Sequence, residues 1–186
     1  MRVFGVVLCG ILVLGFCGVV ASLHGQAAGQ AGRGAGTSPN SQVLTGSSEP
    51  APADRVIGWP AAEIKAIGQE LLTTKVPAAE HRFFRQQNYN MEVRRLMGPQ
   101  PILLHSKKGD LMVIQDGEGT FMSGGQLVNG VEQGEDPGDM RGDSIRGGVT
   151  RVVKPGDVVW VPAGLPHAFV ETKPHVTFLL VRFWTR

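Results

Sequence analysis

The chain has 186 residues, a length that allows one domain with additional segments and does not require two. Its formal charge of +2, from 18 basic and 16 acidic residues, is too small to create the positive field that nonspecific nucleic-acid binding needs, so we expect no nucleic-acid partner. The sequence contains no Walker loop, no paired CxxC and no HExxH motif, which excludes a P-loop hydrolase, a zinc ribbon and a zincin.

The N-terminal residues have the composition of an export signal. Arg2 is followed by an apolar run over residues 3–20 and then by the small residues Ala21 and Ser22. This order predicts a signal peptide over residues 1–21 and a periplasmic or extracellular protein without stable membrane association after cleavage. An uncleaved membrane anchor is the alternative, because about 18 apolar residues approach the length that spans a bilayer.

Both cysteines, Cys9 and Cys17, lie in this segment, so we expect no disulfide in the mature protein. A lipoprotein would use Cys17, but Phe16 stands where a small residue is needed. Residues 22–54 consist mainly of Gly, Ala, Gln, Ser and Pro, which cannot bury enough surface to offset chain entropy. We therefore expect a disordered linker over residues 22–54 and one folded domain over residues 55–186.

One short amphipathic helix is predicted at the start of this domain. Between Pro60 and Leu72, the apolar residues Ile64, Ile67 and Leu71 recur at helical spacing, with the proline at the first turn. Beyond the helix, short apolar runs are separated by Gly- and Pro-rich turns. Such runs predict strands at residues 90–96, 102–105, 111–115, 119–122, 150–153, 157–161, 167–171 and 176–183. Many short strands with no helix between them indicate an all-β antiparallel sandwich or barrel.

Residues 123–148 are rich in glycine and carboxylates, and we expect a long excursion between strands there. Asp136, Asp139 and Asp143 suggest calcium, but their spacing fits neither an EF-hand loop nor a nonapeptide calcium repeat. The prediction is a solvated acidic loop. The tripeptide at residues 141–143 spells a known adhesion sequence, but three letters recur by chance and nothing else in the chain supports adhesion.

Two histidine-bearing segments have informative spacing. In the first, His105 is followed after four residues by Asp110 and, after six more, by Gly117. The second contains, in order and at spacings of five, one and two intervening residues, Gly156, Pro162, Gly164 and His167.

These segments resemble the two signature motifs of the cupin superfamily, and the resemblance extends over about residues 91–183. It implies a double-stranded β-helix, also called a jelly-roll barrel, with the short helix as an N-terminal addition. The family's first motif begins with a glycine and has two histidines and a glutamate. Here Gly98 lies one residue too close, Leu103 occupies the position of the first histidine and Asp110 that of the glutamate, while Glu171 replaces the final asparagine of the second motif. The family's usual set of three histidines and one glutamate is thereby reduced to three ligands.

The residues themselves also favour a metal site. Strand alternation places Asp110 on the face of Ile114, and His167 on the face of Phe169, so both side chains are expected inside the barrel. A carboxylate in such a cavity is costly unless it is paired, protonated or bound to a cation. Two imidazoles and one carboxylate with open positions suit iron, manganese, nickel or zinc. We therefore predict that a divalent metal ion is bound by His105, Asp110 and His167.

Alternatives remain open at this stage. His167 could cap a turn, and Asp110 could form an ion pair with Lys107 or Lys108, leaving a metal-free ligand pocket or a purely structural barrel. The shorter reach of aspartate than of glutamate also counts against the metal.

The expected function depends on whether the barrel holds a metal ion. The protein could be an enzyme in which the metal acts as Lewis acid or redox centre, or a noncatalytic module that binds a small molecule such as a sugar or an organic anion, or binds a metal ion. No nucleophile or general base is evident, and strand parity alone does not say whether Glu92, Arg94 and Arg182 line the cavity. Leu111 and Val113 make their strand apolar on both faces, which predicts a homodimer.

Overall fold

The computed structural model describes residues 41–134 and 136–185, and the predicted signal peptide lies outside them. The described chain contains a single helix, α1 (Ala61–Leu72). Its strands are β1 (Ser41–Gly46), β2 (Ala78–Arg85), β3 (Tyr89–Met97), β4 (Ile102–His105), β5 (Lys108–Ser123), β6 (Gln126–Val128), β7 (Val131–Glu132), β8 (Asp139–Gly142), β9 (Ser144–Arg146), β10 (Val149–Val153), β11 (Val158–Val161) and β12 (His167–Trp184). Among the described residues, no helix has the length and apolar character needed to cross a membrane.

Strand β12 is the centre of the sheet. It pairs antiparallel with β3 along one edge and with β5 along the other, and its first residue also pairs with β4. Strand β5 in turn pairs antiparallel with β10 and β11. The sheet path continues from β4 to β8 and β7, and at its other end from β3 to β2 and β1. The predicted all-β fold with one short N-terminal helix is confirmed.

Most of the predicted strands are present, but the structure merges some of them. The runs at 111–115 and 119–122 form one strand, β5, and the runs at 167–171 and 176–183 form one strand, β12. Register shifts interrupt the β5–β12 pairing near the turn residues that separate these runs in the sequence. Two long strands that change partner along their length allow a single sheet to curl around one interior.

Strands β1 and β2 were not predicted. In β2 the alternation carries charged residues on the buried face, including Glu80 and Arg82, so hydrophobicity gave no strand pattern there. Strand β1 pairs in parallel with β2, so at least residues 41–46 of the predicted linker form regular structure. Residues 22–40 of that linker lie outside the described residues.

The interior contains one main apolar cluster on the inner face of β5, β11 and β12. Its largest members are Met112, Ile114, Phe121, Phe169, Phe178 and Leu180, each at most 3% exposed. A second cluster lies on the outer face, where Ala79 and Val93 pack with Leu71 of α1. The helix therefore covers the outside of β2 and β3 and leaves the inner face to line a cavity.

A buried arginine fixes the end of this helix. Arg95 is fully buried, and its guanidinium donates to the carbonyl oxygens of Leu71 at 2.9 Å and of Val76 at 2.6 Å. The last carbonyls of a helix have no partner within the helix, so a guanidinium there satisfies groups that would otherwise be buried unpaired. The side chain of Arg95 consequently serves the outer layer and is absent from the cavity.

One motif glycine has a direct structural reason. Gly117 lies within β5 at φ +75°, where a β-carbon would stand 2.1 Å from the carbonyl oxygen of His175. Only glycine tolerates both the positive φ and this approach of the backbone of β12. The closing glycine of the first motif therefore permits the irregular β5–β12 pairing that shapes the interior.

Candidate metal centre and ligand cavity

The structure brings the three predicted metal ligands together inside the sheet. His105 is the last residue of β4, Asp110 is the third residue of β5 and His167 is the first residue of β12. All three side chains are buried, with exposures of 5%, 3% and 8%. One ligand atom from each lies within 4.8 Å of the others. The convergence on which the sequence prediction depended is present, while the binding of a metal by this cluster stays a prediction.

Backbone hydrogen bonds hold the two histidine-bearing segments against each other. The amide of Gly164 donates to the carbonyl oxygen of His105 at 2.7 Å. The Nδ1 atom of His167 lies 2.9 Å from the carbonyl oxygen of Leu165, which fits an Nδ1–H donor and leaves Nε2 directed towards Asp110. The turn-capping alternative for His167 is thus present, but it occupies only one ring nitrogen. The other nitrogen lies 3.8 Å from Asp110 Oδ2.

A buried arginine binds the carboxylate of the cluster. Arg182 Nε donates to Asp110 Oδ1 at 2.7 Å, and its Nη2 donates to Asp110 Oδ2 at 2.8 Å. The two residues are direct cross-strand partners on β5 and β12. Asp110 is therefore ion-paired with Arg182, and the alternative pairing with Lys107 or Lys108 is wrong. Because each carboxylate oxygen has further lone pairs, this bidentate pair does not by itself use up the acceptor capacity of Asp110.

The charges in the site fix the protonation states of the three side chains. Burial alone would raise the pKa of the Asp110 carboxyl, but the charge and hydrogen bonds of Arg182 hold that pKa far below its usual range. Burial, together with the nearby Arg182 guanidinium, lowers the pKa of His105 to about 4. Burial also lowers the pKa of His167. At neutral pH the cluster therefore presents two neutral imidazoles and one carboxylate, which are the protonation states that bind metal ions.

A second carboxylate lies behind His105. Asp139 on β8 is the cross-strand partner of His105, and its Oδ1 lies 3.1 Å from His105 Nδ1. Lys108 Nζ lies 2.5 Å from Asp139 Oδ2 and 2.5 Å from Asp136 Oδ2. The prediction that these aspartates belong to a solvated loop is wrong for Asp139, which is 6% exposed. The excursion folds back because β8 pairs with β4, and this pairing brings its carboxylate to the site.

Both ring nitrogens of His105 are buried without a hydrogen-bond partner among the described residues, and Nδ1 is the one that lies near Asp139, which leaves Nε2. The imidazole rings of His105 and His167 have centroids 5.6 Å apart, so both rings border the same small space beside Asp110. Leaving a buried ring nitrogen unsatisfied costs about 1–3 kcal/mol, so this atom indicates a missing ligand.

The inner face of β2 and β3 carries further buried charges. Arg94 Nη2 lies 2.5 Å from Glu80 and 2.8 Å from Glu92, and Arg82 Nη2 lies 2.7 Å from Glu80. The Nε atoms of Arg82 and Arg94 are buried without a hydrogen-bond partner among the described residues. Glu92, Arg94 and Arg182, whose direction strand parity left open, therefore all face the interior.

A cavity connects the cluster with this charged region. The space in it that the centre of a water-sized sphere can occupy is about 50 Å³, so only a small molecule fits. Four charged or titratable side chains line it, namely Arg94, Asp110, His167 and Arg182. The remaining wall is mostly apolar and includes Leu96, Leu103, Met112, Phe121, Phe169, Phe178 and Leu180.

The sequence contained a signal for one of the residues that the prediction did not assign to the site. Phe178, Leu180 and Arg182 are spaced two residues apart on β12 and share one face of the strand. Because Phe178 and Leu180 point to the interior, Arg182 points there as well. Asp139 had no such signal, because only the long-range pairing of β4 with β8 places it beside His105.

No protein-family model and no curated protein matches this sequence. Several solved structures are similar. A protein from Bacillus halodurans matches at 10% identity and a TM-score of 0.48, over 75% of this chain and 88% of its own. A predicted oxalate decarboxylase from Thermotoga maritima matches at 17% identity and a TM-score of 0.35, over 51% of this chain and 65% of its own. A sugar phosphate isomerase from Silicibacter pomeroyi, described as a cupin superfamily protein, matches at 19% identity and a TM-score of 0.34, over 52% of this chain and 51% of its own.

At these identities the likeness concerns the fold alone. Within this chain, β5 from the first motif and β11 and β12 around the second form one continuous sheet. These strand pairings confirm the predicted all-β fold, and the likeness to the cupin superfamily stays a resemblance.

Proposed function

We propose that this chain is a cupin-fold protein that binds a divalent metal ion through His105, Asp110 and His167 and binds a small molecule in the adjoining cavity. The supporting observation is the convergence of three buried ligand atoms within 4.8 Å. Ligands around one zinc or iron ion, at bonds near 2 Å, lie roughly 3–4 Å apart. The three side chains therefore need to approach by about 1 Å, which rotation about their side-chain bonds can supply.

The donor set suits this proposal. The unpartnered His105 Nε2 and the free Nε2 of His167 offer lone pairs, and Asp110 is ionised next to Arg182. Two imidazoles and a carboxylate that leave open positions are the pattern of mononuclear iron sites and also accept manganese, nickel or zinc. When bound, such an ion supplies Lewis-acid or redox chemistry at its open positions. Around it, the apolar walls exclude water and the arginines orient an incoming ligand.

A metal-free binding module is the second candidate, and one observation favours it. Arg182 already neutralises Asp110 through two hydrogen bonds, so the carboxylate does not require a cation. In that case the cavity would bind its ligand through Arg94, Arg182 and His167 without a metal.

Metal content separates the two candidates. Wild-type protein without a His tag is loaded with zinc, dialysed and measured by elemental analysis, together with His105→Ala and His167→Ala. We expect one ion per wild-type chain and zinc affinity lower by at least about 100-fold in both variants, since even loss of an outer contact costs 10–100-fold. The matched controls are His81→Ala and His175→Ala, histidines outside the cluster, which should retain zinc. Metal-free wild-type protein, or equal loss in the control variants, would overturn the proposal.

Export to the periplasm or the exterior and assembly as a homodimer complete the proposal. The order of charged, apolar and small residues at the N-terminus supports export. An exposed apolar patch supports the dimer: Leu111 and Val113 of β5 pair with Trp160 and Val158 of β11, and the latter two are 54% and 56% exposed. Adjacent apolar side chains of this kind often mark protein contacts.

A further inference from the structure

The buried charged side chains around the cavity determine which ligand charge can accompany a metal ion. Without a metal, the formal charges of the buried interior cancel, since three arginines (Arg82, Arg94 and Arg182) face three carboxylates (Glu80, Glu92 and Asp110). Behind His105, Lys108 is paired with Asp139 and with the partly exposed Asp136, so this group adds at most one negative charge. A metal ion is bound by histidines as neutral imidazoles, so His105 and His167 add no charge. A bound divalent cation would therefore leave the interior with a net positive charge of one or two.

The hydrogen bonds of the site also favour an anion beside the metal ion. The carboxylate of Asp110 donates no hydrogen bond, and each of its two oxygens accepts one from Arg182. Each oxygen of Asp110 has a further lone pair for a cation, but a cation that draws one oxygen out of the pair leaves an N–H group of Arg182 without its acceptor inside the barrel. Arg94 already has a buried Nε without a partner among the described residues. Both arginines line the cavity, so unpaired donors and excess positive charge would lie in the same space. A buried uncompensated charge of this kind is strongly unfavourable unless an anion accompanies it.

The rest of the cavity restricts what the anion is. Apart from the charged groups, its wall is formed mainly by aliphatic and aromatic side chains, among them Met112, Phe121 and Phe178. A hydrated inorganic anion would leave this wall without contacts, whereas a short hydrocarbon chain would bury against it. Guanidinium groups match carboxylates in geometry and bind them through paired hydrogen bonds.

We propose that the cavity binds a small organic carboxylate together with the metal ion, with Arg182 and Arg94 holding the carboxylate group and the apolar wall holding the hydrocarbon part. This inference rests on the proposed metal site. It assigns Arg182 two partners, Asp110 in the empty cavity and the ligand in the loaded one. Metal and carboxylate should then strengthen each other's binding by the same factor, as linkage requires.

Calorimetry with butanoate and butanamide tests this. The two probes have the same chain, but only butanoate carries charge, and a monocarboxylate chelates free metal ions weakly. We expect zinc to tighten the binding of butanoate to the wild-type protein by tenfold or more, butanoate to tighten zinc binding by the same factor, and butanamide to do neither. Arg182→Gln should lose the coupling, whereas Arg151→Gln, an exposed surface arginine, should retain it.

The outcomes distinguish this inference from the proposed function. Zinc binding that is the same with and without butanoate would overturn the carboxylate inference and leave the metal site intact. Wild-type protein that binds no zinc overturns both. Because Arg182→Gln could destabilise the fold, the reciprocal measurement on the wild type decides the matter without any variant.

Discussion

Asp110 and Arg182 form a bidentate ion pair across two adjacent strands, and both residues are at most 5% exposed. Removing one partner leaves the other charged and buried. Asp110→Asn should therefore lower the free energy of unfolding by about 3–5 kcal/mol. Urea denaturation followed by circular dichroism, in protein treated with a chelator, measures this change.

A double-mutant cycle identifies the pair as the cause. The double variant Asp110→Asn/Arg182→Gln should regain part of the loss, because no unpaired charge remains. Asp157→Asn serves as a control, because its carboxylate accepts only from the exposed amide of Lys154. A double variant whose loss equals the sum of the two single losses would show that the pair is not coupled.

Asp139 should position His105 for metal binding. Its carboxylate lies 3.1 Å from His105 Nδ1, so it favours a fixed ring orientation that leaves the other ring nitrogen for the metal. Asp139→Asn should weaken zinc binding by about 10–100-fold. Two-dimensional ¹H–¹⁵N NMR of the histidine rings should show a changed His105 tautomer in the same variant.

Asp136→Asn is the matched control for this experiment. Asp136 contacts the same Lys108 Nζ but not His105, so its loss tests the effect of disturbing the lysine alone. Equal weakening of zinc binding by both substitutions would assign the effect to Lys108 and contradict a positioning role for Asp139.

The sequence located those site residues that alternate with apolar residues along a strand. Asp110 and His167 alternate with apolar neighbours, so strand periodicity sufficed to place them inside the barrel. The spacing of the motif glycines gave the fold, and Gly117 shows why, since its positive φ and its contact with the backbone of β12 leave no room for a side chain.

Strand periodicity failed where the buried side chains are charged. Strand β2 places Glu80 and Arg82 inside, and these charges are tolerated only because β3 supplies Glu92 and Arg94 opposite them. A pattern that equates buried with apolar cannot find such a strand. Asp139 was out of reach for another reason. It is distant from His105 in sequence, and only the pairing of β8 with β4 places the two residues side by side.

The pKa of His105 predicts a loss of stability in mild acid. In the folded protein this pKa is lowered to about 4, while the ordinary value is 6.5. Between these values the unfolded chain binds a proton that the native state does not, so the free energy of unfolding should fall as the pH drops from about 7 to about 4. The contribution of His105 is on the order of 3 kcal/mol.

Denaturation of metal-free protein at several pH values checks this dependence. His105→Gln removes the titrating group, so its stability should depend less on pH across that interval than that of the wild type. His175→Gln, whose ring lies 3.2 Å from Asp116 near the surface, is the control and should keep the wild-type dependence. Identical profiles for the wild type and His105→Gln would contradict the lowered pKa.

Leu103 offers a gain-of-function test of the metal site. It lines the cavity and is the cross-strand neighbour of His167. Leu103→His should place a fourth donor next to the other three and raise zinc affinity by about tenfold or more, since four-coordinate sites are the usual arrangement for zinc. Isothermal titration of both proteins measures the difference.

The next residue along the strand supplies the control. Leu104 points to the opposite face of β4, so Leu104→His adds the same imidazole outside the cavity and should leave zinc affinity unchanged. Zinc affinity unaltered by Leu103→His would mean that the ion, if bound, does not lie between His105 and His167.

The exposed patch on β5 and β11 predicts the oligomeric state. Trp160 is 54% exposed and stacks on Phe183 at a centroid separation of 5.0 Å, so a large flat apolar surface faces solvent in one chain. We expect light scattering at micromolar concentration to give the mass of a dimer. Trp160→Glu would bury a charge in that contact and should yield a monomer, because desolvating an unpaired carboxylate outweighs the lost apolar contact.

Val131→Glu is the control, because Val131 is also exposed, at 62%, but lies on β7, which joins the sheet through β8 and not through β5 or β11. This variant should remain dimeric. A monomeric wild type would remove the basis for the dimer, and dissociation by both substitutions would place the contact elsewhere on the surface. Dissociation by Trp160→Glu alone, with zinc binding retained, would show that the dimer forms through the outer face of β5 while its inner face carries Asp110 in the cavity.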